Sequence, residues 1–311
     1  MIHHQCSAVL ASLFVLLTAL PAAHAQAAGH EYFYAQLNAS EKELYRQIDG
    51  WQSDQVVTAR ADLSASPMLL GGGSWERELY ISLRRAFDAY QYDHPEAFWL
   101  YRVNSENHNI ATLNSGGVSV KGFSLEFINS DSNLISEKYA CEKALNSLMD
   151  RVNTSGSRYE QLRSLYDNVL DWMTFDDLVG SNFENRRGKR SQHITSALLD
   201  RSTVCAGYAK VFKLGCDRLN IPCVLVSGTG IGPGGTVPHM WVVVQLEDGK
   251  WYAADPTWDD NDSGDYFLVG NNTVVMNGLT FEQTHMPDSG PFNASGYGFT
   301  YPGIAGSRYN Q

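Results

Sequence analysis

The chain has 311 residues, 43% of them hydrophobic and 18% charged, which is ordinary for a packed protein and enough to bury a core. Its 23 basic and 34 acidic residues leave a formal charge of −11, which argues against non-specific binding to nucleic acid or to an anionic membrane surface and says nothing about fold.

In chain order, residues 1–25 read as a secretory signal peptide. An apolar run from Ala8 to Leu20 is followed by Pro21 and the small-x-small site Ala23-His24-Ala25, and the run is too short to favour a spanning helix. The expected mature chain starts near Gln26 and is secreted or periplasmic. It keeps Cys141, Cys205, Cys216 and Cys223. Two disulfides are open to it, although a chain of this size needs no stapling. No C-x-x-C or H-x-x-x-H spacing gathers four zinc ligands, and neither metal nor cofactor is expected.

Ser40 and Glu43 form an expected capping box ahead of Leu44, Ile48 and Trp51 at helical spacing. After Gly71-Gly72-Gly73, the stripe of Trp75, Leu79, Leu83, Ala86 and Tyr90 predicts a second helix ending near Asp93-His94-Pro95. Extended segments are expected at AFWLYRV (97–103) and at 117–128, after a turn at Asn114 to Gly117. Helical patterns follow from Leu134 to Val152, with Cys141 on the apolar stripe, and from Arg158 to Phe175. The polar interval to Ser191 ends in the run Arg186 to Arg190. It reads as a solvated loop, with a processing site or a rim for anionic substrate as alternatives.

From Ser202 the pattern changes. Val204, Tyr208, Val211, Phe212, Gly215 and Leu219 make one apolar helix face, Asn220-Ile221-Pro222 stops it, and Cys223 to Val226 reads as a buried strand. Cys216 and Cys223 flank that stop as packing residues or as a disulfide pair. A glycine-rich connection, GTGIGPGGTVP, precedes a strand rather than a helix and lacks a Lys-Ser/Thr ending, so it is no nucleotide loop. Strands from His239 to Leu246 and from Lys250 to Asp255 then form a hairpin. The acidic run Asp259 to Asp265 lacks the terminal Glu of a calcium loop and reads as a solvated turn; the tail from Gly290 reads as a peripheral extension.

Cys205 is the residue with chemical promise. With Ser202 or Thr203 as N-cap it occupies the third or second helical position, where unpaired N–H groups and the positive dipole end favour a thiolate and offer donors to an oxyanion. The thiol needs a base, and the base needs an orienting acceptor. His239 opens one hairpin strand and Asp255 closes the other. A two-residue turn, Asp248-Gly249, leaves them on opposite faces. A three-residue turn, Glu247-Asp248-Gly249, puts Asp255 across from Trp241, diagonal to His239 on one face, with Gly249 at the left-handed position.

These residues resemble the transglutaminase-like superfamily of papain-type cysteine enzymes. The likeness rests on V-C-A-G-Y-A (204–209), I-P-C-V (221–224), H-M-W (239–241), D-G-K-W-Y-x-x-D-P-T-W-D-D (248–260) and Tyr266-Phe267-Leu268 as a next strand, over about residues 158–270. DHPEAFWL (93–100) is similar to a segment preceding this core in bacterial members. The resemblance implies an α/β (α+β) papain-like fold, its nucleophile helix packed on an antiparallel sheet, with a mainly helical N-terminal region at 26–152, a catalytic domain at 153–289 and an extension at 290–311. It implies Cys205 as nucleophile, His239 as base and acid and Asp255 as orienting carboxylate. Gln192 and His193 are oxyanion candidates by position, and Tyr208, Trp241 and Trp258 are substrate-pocket candidates. The expected function is attack on a glutaminyl or peptide amide of a protein or peptide substrate through a thioester, with transfer to an amine or to water. The alternatives are a peptidase or amidase of the same fold and a non-catalytic binding module.

Overall fold

The computed structural model describes residues 30–53, 60–63, 70–71, 75–98, 103–112, 117–127, 133–180, 182–183, 185–232, 234–261, 265–288 and 298–310. The signal segment 1–25, the turn at 114–116 and the middle of the acidic run at 262–264 lie outside the described residues.

A single 3-10 turn, Tyr34–Gln36, leads into α1 (Ala39–Ser53). Its cap lies two residues upstream of the expected Ser40–Glu43 box: Asn38 Oδ1 accepts the Glu41 N–H at 2.9 Å and Glu41 Oε2 accepts the Asn38 N–H at 2.9 Å. Asparagine caps a helix as well as serine does, and it starts this one earlier. There follow β1 (Arg60–Leu63), β2 (Leu70–Gly71), α2 (Trp75–Asp93), β3 (Val103–Thr112), β4 (Gly117–Phe127) and α3 (Asn133–Met149). Of the first expected extended segment, residues 99–102 lie outside the described residues, Val103 begins β3, and Ala97 and Phe98 are buried and not strand. β4 pairs antiparallel with β1, β2 and β3. At the end of α2 the buried Asp93 carboxylate accepts the N–H groups of Phe33 (3.1 Å) and Tyr34 (2.9 Å) and the Tyr45 hydroxyl (3.1 Å), tying the start of the described chain to this helix.

α4 (Arg158–Trp172) opens on a complete Ser157–Glu160 capping box and buries Leu162, Leu165, Tyr166 and Val169. After β5 (Thr174–Phe175), the basic run forms α5 (Arg186–Ser191) rather than a loop. Asn185 caps it, Arg187 grips Asp176 at 2.6 Å, and Arg190 bonds Asp200 (2.6 Å) and Glu137 (3.0 Å), so these two charges are spent within the fold. A π-turn at Ser196–Asp200 and β6 (Ser202–Thr203), parallel to β5, bring the chain to α6 (Cys205–Arg218), which is buried along most of its length.

β7 (Cys223–Gly232) and β8 (Gly235–Gln245) form a long hairpin in which the glycine-rich segment is itself strand, paired out to Gly232 and Gly235. β9 (Trp251–Ala254) pairs with β8, and the chain continues through α7 (Pro256–Asn261), β10 (Val274–Met276), β11 (Leu279–Thr280), α8 (Phe281–Thr284) and β12 (His285–Pro287). β12 joins the other edge, giving an antiparallel sheet in the order β12-β7-β8-β9, with α6 packed on β7 and β8 and α4 behind α6. The fold is thus mixed helix and antiparallel sheet, with a helix layered on the sheet.

Residues 266–268 do not form the expected strand. Leu268 turns at φ 51° and only Val269 bridges back, to Ala253. Nor is the described part of the tail peripheral: Phe299 is buried, Ala305 donates to Trp251 O at 2.8 Å, and Tyr309 donates to Leu268 O at 3.0 Å. All four described cysteines are free thiols; Cys141, Cys216 and Cys223 are buried and Cys205 alone is partly exposed. No helix among the described residues is long and apolar enough to cross a membrane.

Candidate active site

Cys205 is the first residue of α6, not the second or third, because the N-cap is Val204, extended at φ −94° and ψ −179°. Thr203 is drawn off into other bonds. Its Oγ1 donates to Ser191 O at 2.6 Å, next to the Val204 N–H bond to the same carbonyl at 3.1 Å. Gly207 makes this start possible, since a Cβ there would lie 1.9 Å from Thr203 Oγ1. At N1 the Cys205 sulfur still meets the positive end of the helix dipole, and a helix start leaves the N–H groups of its first positions, here Cys205 and Ala206, without an intrahelical acceptor.

The β8–β9 pairs Val242–Ala254, Val243–Ala253, Val244–Tyr252 and Gln245–Trp251 are those of the three-residue turn. Leu246 and Lys250 close it through a 3.1 Å bond, and Gly249 sits at φ 76°. One step past Ala254, the Asp255 carboxylate meets His239, with Nε2 2.5 Å from Oδ2. Its other oxygen accepts the N–H groups of Thr257 (3.0 Å) and Trp258 (3.2 Å) at the start of α7, so the carboxylate cannot swing. Nε2 being committed, Nδ1 is the ring nitrogen left to face Cys205, which favours the protonated imidazole. The His239 ring lies near-parallel to Trp258 (5.0 Å, 27°) and Trp241 (5.9 Å, 26°).

Burial opposes charge on His239, but the Asp255 carboxylate and then Cys205 outweigh it, raising the imidazole to about 10. Burial likewise works against the Asp255 anion, yet the charge and hydrogen bond of His239, joined by His285, hold it far below the usual carboxylate range. The pair is therefore an imidazolium and a carboxylate, both almost fully buried.

His285, which no sequence motif marks, completes this array. Its Nε2 lies 3.0 Å from the same Asp255 Oδ2, and its Nδ1 is 2.9 Å from Thr284 Oγ1. No sequence spacing links His285 to the hairpin; only the pairing of β12 with β7, His285 opposite Gly230, brings it in. His239, Asp255 and His285 offer three ligand atoms within 4.8 Å of one another. Both nitrogens converge on one oxygen at hydrogen-bond distance, which is the geometry of shared protons rather than of bonds near 2 Å to a common ion.

A cleft of about 670 Å³ opens over Cys205 and His239, with Phe183, Gln192, Ser227, Met240 and Asp288 in its wall. Gln192 reaches the cleft, but its amide nitrogen donates to Phe183 O (3.2 Å) and Gly188 O (3.0 Å), while Lys210 Nζ donates to the main-chain carbonyl of Gln192 at 2.8 Å. Both amide hydrogens thus point into the wall. His193 is outside the described lining of the cleft; its carbonyl accepts from Ser196 Oγ at 2.8 Å. The aromatic candidates are also displaced from the cleft. Tyr208 is fully buried with its hydroxyl on Asp260 at 2.5 Å, and Trp241 and Trp258 pack the imidazole from behind.

A partly exposed thiol at a helix start and a strand imidazole thus share one cleft, with a buried carboxylate behind the imidazole, on a mixed fold. Residues 146–256 match the model of the transglutaminase-like superfamily. The chain is 26% identical over 162 residues to the kyphoscoliosis peptidase of Mus musculus and 24% identical over 168 residues to that of Homo sapiens, about half of this chain in each case. The match spans about a quarter (24%) of the length of these relatives. Among solved structures it is similar to a TGase (15% identity, TM-score 0.36, covering 64% of this chain and 50% of that one). It is also similar to the periplasmic domain of TgpA from Pseudomonas aeruginosa (15% identity, TM-score 0.28, covering 49% of this chain and 62% of that one).

Proposed function

We propose that the protein is a secreted or periplasmic cysteine enzyme that attacks a glutaminyl or peptide amide of a protein or peptide substrate. The observation that carries this reading is the buried His239–Asp255 pair, whose imidazole lines one cleft with the thiol of Cys205.

The Cys205 thiolate attacks the amide carbonyl carbon, and the oxygen takes up the negative charge. The first-turn N–H groups of α6, at Cys205 and Ala206, are the donors available to that oxyanion. His239, already protonated, gives its Nδ1 proton to the departing nitrogen, the C–N bond breaks, and a thioester remains on Cys205. An amine or a water then attacks the thioester; His239 takes the proton from the nucleophile, and the thiolate leaves. Asp255 stays ionised throughout and keeps the ring turned to the sulfur.

Transfer and hydrolysis use the same residues and differ in whether amine or water reaches the thioester. Intact mass after incubation with a glutamine-containing peptide and a primary amine separates the outcomes. Addition of the amine to the peptide means transfer, deamidation or cleavage means hydrolysis, and an unchanged peptide across a panel of amide substrates would overturn the enzyme reading in favour of a binding module.

A further inference from the structure

His285 has no part in the steps above, yet it is 1% exposed and bound to the residue that orients the base. We propose that His285 is a positioning residue of this site: as a neutral ring it donates Nε2–H to the Asp255 oxygen that holds His239, and so limits how tightly the carboxylate retains the imidazolium proton. The inference rests on the reading of Cys205, His239 and Asp255 as a catalytic unit.

The tautomer follows from the partners. A carboxylate oxygen only accepts, so the hydrogen in the 3.0 Å contact belongs to His285 Nε2. On the other side of the ring, Thr284 Oγ1 has one hydrogen, and its nearest acceptor is His285 Nδ1 at 2.9 Å, against 3.1 Å for Phe281 O and 3.2 Å for Thr280 O. A hydroxyl that donates to Nδ1 fixes the proton on Nε2. Phe281 stacks on the ring at 4.0 Å and 14°, and Trp241 meets it edge-on at 5.0 Å, so the ring has no room to flip. Burial in this apolar seat, beside a histidine already charged, disfavours a second cation.

The consequence is electrostatic. The positive end of the His285 N–H dipole points at Asp255 Oδ2, neutralises part of its charge and weakens its attraction for His239. Without that donor the Oδ2 oxygen would serve His239 alone and hold its proton to higher pH, slowing its release to a leaving group. The other ionisable groups around the array include Cys205 and Lys210 on α6, Tyr166 on α4, Asp259 on α7 and Tyr266, whose ring centroid lies 5.8 Å from that of His285.

Nitrogen NMR of the histidine side chains in the intact protein tests the first half. His285 is expected as the neutral Nε2–H tautomer at neutral pH; a cation or an Nδ1–H form there overturns the proposal, with no variant needed. The same spectra, with the pH dependence of Cys205 alkylation by iodoacetamide, test the second half. In His285→Phe the His239 transition should move up by about one pH unit, whereas His285→Gln, which restores an N–H donor, should bring it back. An unmoved transition in His285→Phe, with alkylation still dependent on His239, defeats this inference alone. Alkylation indifferent to His239 defeats the catalytic reading instead. Should His285→Phe not fold, Thr284→Val is the substitute: loss of the single 2.9 Å bond to Nδ1 should mix the two tautomers, and an unchanged tautomer rules out this mechanism of fixing it.

Discussion

Gly249 turns at φ 76°, and Asp255 thereby falls on the face of the sheet that carries His239. The left-handed glycine completes the three-residue turn between β8 and β9. A turn one residue shorter would rotate every later side chain of β9 to the other face. Gly249→Val should cost about 1–2 kcal/mol of stability from the strained backbone. It should also lower turnover by more than that loss explains. Denaturant unfolding beside kcat/KM checks the split; a variant destabilised but fully active would uncouple turn and site.

Cys205 should be the one reactive thiol. It is partly exposed at a helix start, whereas burial and Glu137 push Cys141 up to about 12, and burial raises Cys216 well above its ordinary value. Iodoacetamide on the folded protein at neutral pH should label Cys205 ahead of the others by peptide mapping, and more slowly in His239→Ala. Cys205→Ala should reduce turnover to background with an unchanged melting temperature.

Asp255→Asn keeps the size of the side chain and removes its charge, so the imidazolium loses its partner and its orientation. Turnover should fall by roughly 10³-fold or more. The buried His239, left without a counter-charge, should titrate below its present value of about 10.

The His239–Asp255 pair also makes stability depend on pH. His239 binds its proton more tightly in the folded chain than its ordinary value of 6.5 implies, so its contribution is complete below 6.5 and is lost as pH rises through about 10. Asp255 is shifted the other way: its contribution is present above its ordinary value of 3.8 and is lost as pH falls toward the lower folded value. Melting temperatures of the wild type and His239→Gln should therefore converge as pH is raised past about 10. A constant gap at alkaline pH would mean that the pair is not ionised.

Gly207→Ala probes the helix start. The added methyl would press on Thr203, whose hydroxyl is held by Ser191 O at 2.6 Å, so either the helix or that bond must shift. A destabilisation of about 1–3 kcal/mol is expected, with slower alkylation of Cys205.

Much of this protein is legible in its sequence because the information is local. Apolar periodicity marks α2, α4 and α6, Ser157 and Glu160 cap α4, and a glycine in a short turn between two strands fixes a register that can be counted. The meeting of His239 and Asp255 follows from that count once the turn is the three-residue one. Finer features depart from the local pattern wherever neighbours in space decide them. Arg187 and Arg190 are ordered by Asp176, Asp200 and Glu137, so a basic run that resembles a loop becomes α5. Thr203 looks like a helix cap but is claimed by the carbonyl of Ser191, which moves the start of α6 to Cys205. Tyr208 reads as a cleft residue, yet its hydroxyl is drawn beneath the surface to Asp260. His285 is the clearest case, because its place beside Asp255 depends on the antiparallel pairing of β12 with β7, far away in the chain. Periodicity and turn chemistry carry no information about which distant strand completes a sheet edge; burial of apolar surface and the pairing of backbone groups settle it only when the whole chain has closed.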